Sequence, residues 1–205
     1  MTEQEFVDKV NKQYSIAGNL HEGNGGYNIY RGTSHVISGY LEDLFALYMA
    51  EKNDRKDYQY LVDKLLSIRF SKNGRATSFK PDLTILNNNI VTHYYDLKTN
   101  LGWNRDLEKY LKEKNDLIQR IQGKEAWIHF SNGRVQNITF TKHLKYQIVV
   151  FNGWNINPDH LAINVEFASR LENIEFHILN TWNKKEGTLN IDLKAFESLH
   201  KEHKK

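Results

Sequence analysis

The chain has 205 residues, a formal net charge of +3, no cysteine, and 40% hydrophobic, 26% charged and 12% aromatic residues. That mix supports a packed core, excludes a disordered, collagen-like or coiled-coil chain, and removes disulfides, thiolate metal sites and a cysteine nucleophile from consideration. With no apolar run of membrane-spanning length and no apolar stretch in MTEQEFVDKV, the expectation is a soluble cytoplasmic protein with no membrane partner.

Residues 3–15 predict an opening helix, with Phe6, Val10 and Tyr14 at helical spacing. The stretch from Gly18 to Gly32 holds five of the twelve glycines but fits neither the dinucleotide nor the P-loop pattern, so it reads as a long loop. Ser34 is a good N-cap for a helix through Ala50, striped by Ile37, Leu41, Leu44, Phe45 and Tyr48. Tyr58, Leu61, Val62, Leu65 and Leu66 repeat at helical spacing and predict a second helix after Asp57.

Two β-rich runs follow, 78–86 (SFKPDLTIL) and 90–98 (IVTHYYDLK), separated by Asn87, Asn88 and Asn89. Asparagine tolerates left-handed backbone angles, so the pair reads as a hairpin with a three-residue loop. Asn104 or Asp106 then opens a helix striped by Leu107, Tyr110, Leu111, Leu117, Ile118 and Ile121 and ended by Gly123. Strands are expected at 126–130, 135–141 and 146–151, with Asn132-Gly133 as a turn between the first two. A helix over 158–171, a strand over 174–181, and a strand and helix within 189–200 complete the reading. Without repeat or linker, the chain is expected to be one α/β domain spanning 1–205. It divides into an N-terminal helix and Gly-rich loop (1–33), a core (34–181) and a C-terminal extension (182–205).

Charge is segregated along the chain. Lys64, Arg69, Lys72, Arg75 and Lys80 lie in a stretch without an acid, and 126–158 also lacks Asp and Glu while carrying Arg134, Lys142, Lys145, His129 and His143. Such segregation makes either a phosphate-attracting face or an ordinary solvated surface.

The chemistry concentrates in Pro81-Asp82, thirteen intervening residues, and Asp96-Leu97-Lys98. Residues two apart in a strand share a face, so Asp96 and Lys98 point the same way. A three-residue loop centred on Asn88 pairs Leu86 with Ile90, Thr84 with Thr92 and Asp82 with Tyr94, leaving Asp82 one diagonal step from Asp96. A loop of even length would put the two acids on opposite faces unless a bulge corrected it. Phe79, Pro81, Leu83 and Ile85 form an apolar set on the other side of that strand. Two close carboxylates repel unless a cation neutralises them. Mg²⁺ commonly uses one or two carboxylates with water and phosphate oxygens, and an adjacent lysine can hold a phosphate or orient a water. The bland alternative is a surface ion pair between Asp82 and Lys98.

Residues 81–98 resemble the motif of the PD-(D/E)xK nuclease superfamily, the restriction-endonuclease-like fold. The resemblance implies an αβββαβ core, a central mixed sheet flanked by helices, with an acid on the first helix. Glu42, within GYLEDLF, is the choice for that acid, and Asp43 is the alternative. Helical spacing groups Glu42 with His35, Ser38, Phe45, Ala46 and Met49, and sets Asp43 beside Tyr40 and Leu47. The resemblance further implies a Mg²⁺-dependent (or Mn²⁺-dependent) restriction-type endodeoxyribonuclease that leaves 5′-phosphates. Asp82, Asp96 and the Leu97 carbonyl would hold the metal, Lys98 would orient the attacking water, and Glu42 would ligate a second metal or its water. DNA is the implied partner, gripped by Lys72, Arg75 and Lys80 and touched by Thr99 and Asn100, with a twofold homodimer suited to double-strand cleavage. A non-catalytic nucleic-acid-binding module and a structure-selective repair or junction-resolving nuclease remain the alternatives. His93 faces away from the acids by strand parity, His35 is expected to be structural, and Trp103, Trp127, Trp154 and Trp182 are core or rim aromatics, one of them able to stack a base.

Overall fold

A computed structural model describes residues 1–19, 37–99, 101, 106–153, 157–183 and 188–199. Its helices are α1 (Glu3–Asn19), α2 (Ser38–Asn53), α3 (Leu107–Ile121), α4 (Pro158–Ser169) and α5 (Leu193–Leu199). The strands are β1 (Tyr58–Val62), β2 (Leu66–Ile68), β3 (Thr77–Phe79), β4 (Leu83–Asn87), β5 (Ile90–Lys98), β6 (Glu125–His129), β7 (Val135–Phe140), β8 (Tyr146–Val150), β9 (Ile174–Ile178), β10 (Asn180–Asn183) and β11 (Thr188–Ile191).

Nine of these strands form one mixed sheet, and β10 and β11 form a separate antiparallel pair. β1, β4 and β5 are an antiparallel meander. The second half of β5 then pairs in parallel with β8, and β8 with β9. A wing of strands β7-β6-β2-β3 joins the first two residues of β5. Parallel neighbours need a long crossover, and α3 lies within the one between β5 and β8. Every residue of β8 is buried, as a parallel strand covered on both faces requires.

Alternation along these strands separates two cores. The first holds Leu86, Val91, Tyr94, Ile148 and Val150 together with Leu111, Ile118 and Ile121 of α3. The second holds Leu83, Ile85, Tyr95, Leu97 and Val149 under Phe6 of α1, Phe45 and Tyr48 of α2, and Phe196 of α5.

Three expectations need correction. Residues 58–66 form no helix. Tyr58–Val62 is a strand on β4, Asp63 turns the chain at φ 53°, and Leu65, which the helical stripe would bury, is 48% exposed. A short apolar run satisfies both periods, and pairing with β4 decides between them. Next, the run 78–86 is two strands. β3 pairs with β2, and the break falls at Lys80–Asp82, where Pro81 has no N–H for a ladder. Phe79 therefore packs in the first core, stacked on Tyr94 at 6.2 Å, on the opposite side from Leu83 and Ile85. Finally, the strand expected over 174–181 breaks at Leu179 between β9 and β10.

Ser34 lies outside the described residues, and α2 begins at Ser38 after Ile37, with no side-chain cap. Elsewhere the expected signals are in place. Asp106 precedes α3, Gly123 follows it at φ 68°, Gly133 turns β6 into β7 at φ 81°, and α4 starts at Pro158, although sequence reading missed its cap, the Asn157 side chain that accepts the Asp159 and His160 N–H groups. Among the described residues, no helix is long and apolar enough to cross a membrane.

Candidate active site at the end of β5

The β4–β5 hairpin turns on two residues rather than three. Asn87 pairs with Ile90, and the loop is Asn88-Asn89 at φ 47° and 64°, the left-handed pair that a type I′ turn requires. An even loop alone would set Asp82 opposite Tyr95, facing the second core. The register shifts between Leu86 and Ile85: Leu86 pairs with Val91, Ile85 with His93, and Thr92 is the extra residue of a bulge. The Thr92 hydroxyl donates to the Ile85 carbonyl at 3.1 Å, which satisfies an acceptor that the bulge displaces. Beyond the bulge Leu83 lies opposite Tyr95 as the last pair of the ladder, and Asp82, one residue outside it, reaches the end of β5 beside Asp96, where its carboxylate meets the Leu97 N–H. The expected pairings of Thr84 with Thr92 and of Asp82 with Tyr94 are therefore corrected: Thr84 lies opposite Tyr94, and Thr92 is the bulge residue.

Asp82 sits in the break before β4. Its main-chain carbonyl accepts the Asp63 N–H, and one carboxylate oxygen accepts the Leu97 N–H at 2.6 Å. N–H and C=O of one strand residue project to the same side, so the Leu97 carbonyl also faces the Asp82 side of β5. Asp96 is 8% exposed, and both of its oxygens are engaged: Oδ1 accepts from Lys98 Nζ and Oδ2 from the Tyr110 hydroxyl, each at 2.8 Å. Tyr110 also shares a 2.8 Å hydrogen bond with the Tyr146 hydroxyl.

Burial pushes the Asp82 carboxyl up to about 6. The Leu97 N–H pulls it back, the Asp96 charge raises it, Lys98 lowers it and Glu42 raises it. Glu42, half-buried on α2, is raised by burial and by the Asp63 carboxylate, against the opposing pull of Lys80 and Lys98. Its charge therefore belongs to the same field as the pair, whereas its neighbour Asp43 is exposed beside exposed Tyr40 and Leu47.

Of the expected cations, Lys80 pairs with Asp63 at 2.6 Å and lies in the field of Glu42 and Asp82. Lys72 and Arg75 are exposed in the β2–β3 connection, at the end of that hairpin away from Lys80. The Thr99 carbonyl accepts the Tyr14 hydroxyl at 2.6 Å, so this residue anchors α1 to the end of β5. Asn100, His35, Trp103 and Trp154 lie outside the described residues. His93 is buried away from the acids, stacked on Tyr95 at 5.8 Å. Trp127 carries the Arg69 guanidinium over its ring at 5.6 Å and donates to His129.

Sequence reading missed Tyr110 and Tyr146 as site residues, because both look like members of apolar stripes. The signal was their hydroxyl tips, since a buried tyrosine hydroxyl has to find a partner. Burial and the nearby Asp96 charge raise the pKa of Tyr110, so its hydroxyl stays a donor.

Among the described residues no group of three or more His, Asp or Glu side chains is gathered as a metal cluster, so Glu42 does not close on the Asp82–Asp96 pair as a third ligand. The oxygen donors at the end of β5 are the Asp82 and Asp96 carboxylates and the Leu97 main-chain carbonyl, a chemistry that suits a hard divalent cation completing its shell with water. Comparison of the chain with protein-family models, with curated proteins and with solved structures gives no match.

Proposed function

We propose that the chain is a metal-dependent endodeoxyribonuclease of the restriction-endonuclease-like class. One observation carries the reading: at the end of β5 the Asp82 carboxylate accepts the Leu97 N–H at 2.6 Å, and the neighbouring Asp96 carboxylate accepts from Lys98 Nζ at 2.8 Å. The order α2, β1, β4, β5, α3, β8 supports it, since this is the αβββαβ succession of that fold with β2–β3 and β6–β7 as insertions. Asp82, Asp96 and the Leu97 carbonyl would hold Mg²⁺ or Mn²⁺. A cation there supplies charge neutralisation at the phosphate and an acidified water.

The residues of the chain have separable tasks. Asp96 is fixed from both sides by Tyr110 and Lys98. Lys98 carries positive charge beside the carboxylates, where a scissile phosphate and its water would meet it. Glu42 adds negative charge from α2 and acts through a water or a second ion. Lys80, Thr99 and Asn100, and at the far end of the β2–β3 hairpin Lys72 and Arg75, are the proposed backbone contacts, and a twofold homodimer would supply the second cut.

The test is incubation of the protein with mixed plasmid and phage DNA in Mg²⁺, followed by analysis of fragment ends. Cleavage to 5′-phosphate ends, abolished in Asp82→Ala and Asp96→Ala, is the expected result. Intact DNA with wild-type protein, or unimpaired cleavage by either variant, removes the proposal. Presence of both acids and the lysine favours the enzyme over a non-catalytic binding module, which needs none of them.

A further inference from the structure

Two cations share one aromatic ring next to the candidate site. Phe130 packs against the first core, the side of the sheet on which Asp96 meets Tyr110 and Tyr146. Lys64 Nζ lies 5.5 Å and the Arg134 guanidinium 4.3 Å from its ring centroid. Neither cation has a carboxylate partner among the described residues. Lys64 follows Asp63, whose N–H bonds the Asp82 carbonyl, so its Cα lies within about 10 Å of the Asp82 Cα. Arg134 is held by its turn: its carbonyl accepts the Phe130 N–H at 2.9 Å and its N–H donates to the Asn132 side chain at 3.1 Å.

Two like charges on one ring repel. The π-face attracts each, but only by the modest amount of an exposed cation–π contact. An arrangement with two cations and no counter-charge is complementary to a polyanion, and its fixed backbone presents them without further ordering. We infer that Lys64, Phe130 and Arg134 form a phosphate track that takes the DNA backbone a few base-pair steps from the bond held at Asp82 and Asp96. The inference rests on the proposed nuclease reading for the direction of the strand. It adds two contacts from segments that meet only in the fold, 64 from the β1–β2 link and 130–134 from the β6–β7 turn.

The experiment measures binding of a labelled short DNA duplex in Ca²⁺ across a salt series, for wild type, Lys64→Gln/Arg134→Gln and Phe130→Leu. The double variant should fold with an unchanged melting profile and lose about two units of the log-affinity against log-salt slope, roughly one per phosphate contact. Phe130→Leu keeps the packing but not the ring, and should weaken binding about threefold while retaining most of the slope. A double variant with the wild-type slope overturns the track, whatever its cleavage. Wild-type protein that binds DNA with the expected slope and loses it in the double variant, yet never cleaves in Mg²⁺, upholds the track and sinks the reading of the carboxylate site. Wild-type protein that binds no DNA overturns both.

Discussion

The two faces of β5 begin alike and end differently. On one face Tyr95 and Leu97 lie under α1, α2 and α5, with His93 stacked on Tyr95, and Tyr95 meets Phe45 edge to face at 5.4 Å. The Tyr95 hydroxyl ends on the Leu199 carbonyl at 3.2 Å, so this side closes with a main-chain acceptor. On the other face Tyr94 is equally buried, but the next outward residues are Asp96 and Lys98, and α3 brings Tyr110 rather than an aliphatic side chain to meet them. Both faces satisfy a tyrosine hydroxyl, buried Tyr95 on one and half-buried Tyr110 on the other, and the partner differs: a neutral carbonyl in a closed core, a carboxylate at the edge of an open one. A strand can therefore carry a core on both faces and a charged site at its end. The requirement is that the covering helix satisfies the first carboxylate from its buried side.

The largest effects should come from breaking the charged end. Asp96→Asn should lose divalent-ion binding and hydrolysis together, with cleavage down by about three orders of magnitude or more, because a neutral amide is a poorer ligand for a hard cation. Lys98→Ala should keep ion binding and lose hydrolysis by about two orders of magnitude, the scale of a positioned charge-stabilising group. Calorimetry with Ca²⁺ reads ion binding and timed DNA digestion reads hydrolysis. If Lys98→Ala destroyed ion binding while Asp96→Asn spared it, Asp96 would be only the structural partner of the lysine.

A smaller effect separates the faces themselves. Tyr110→Phe leaves Asp96 Oδ2 without its donor, so the carboxylate can turn, and DNA hydrolysis should fall about tenfold. Tyr95→Phe removes the neutral hydrogen bonds of its hydroxyl with the Leu199 carbonyl and the Gln147 side chain and should cost about 1–2 kcal/mol in denaturant unfolding, with the hydrolysis rate unchanged. Equal losses of hydrolysis in the two variants would show that Tyr110 contributes general packing rather than alignment of Asp96.

How far this was readable in sequence follows the range of each interaction. The pairing of 83–86 with β5, the helix after Asp106 and the turns at Gly123 and Gly133 rest on local chemistry and were legible. The meeting of Asp82 with the end of β5 was legible, yet by a different route: in place of a three-residue loop, a two-residue turn plus a bulge at Thr92 carries the hairpin register to Leu83 opposite Tyr95. A bulge has no local signature in IVTHYYDLK, since its residue is chosen by what the partner strand needs. Residues 58–66 were misread because their helical and strand periods coincide, and only pairing with β4 and β6 decides. Tyr110 escaped for a similar reason, since an apolar stripe does not say which of its members ends on a carboxylate 14 residues away.

The smallest expected effect concerns Asp82 and the pH dependence of stability. Its carboxyl is raised to about 6 in the fold, chiefly by burial, above the ordinary aspartate value of about 3.9. Over that interval the folded chain binds more protons than the unfolded one. The contribution is therefore fully present below about pH 4 and is lost as pH rises through about 6. Two pKa units would correspond to nearly 3 kcal/mol, and solvent screening of a half-buried group reduces this to about 1–2 kcal/mol. Denaturant unfolding without divalent ion, compared between wild type and Asp82→Asn, isolates this group, because every other carboxylate titrates in both. Wild type should lose stability relative to the variant between pH 4 and 6, leaving Asp82→Asn the more stable protein at pH 7. Added Ca²⁺ should restore wild type, whose ionised pair it binds, and leave the variant unmoved. A difference curve that rises in favour of wild type across that interval would mean that Asp82 is stabilised in its ionised form by the Leu97 N–H and Lys98. Its repulsion with Asp96 would then not need a cation.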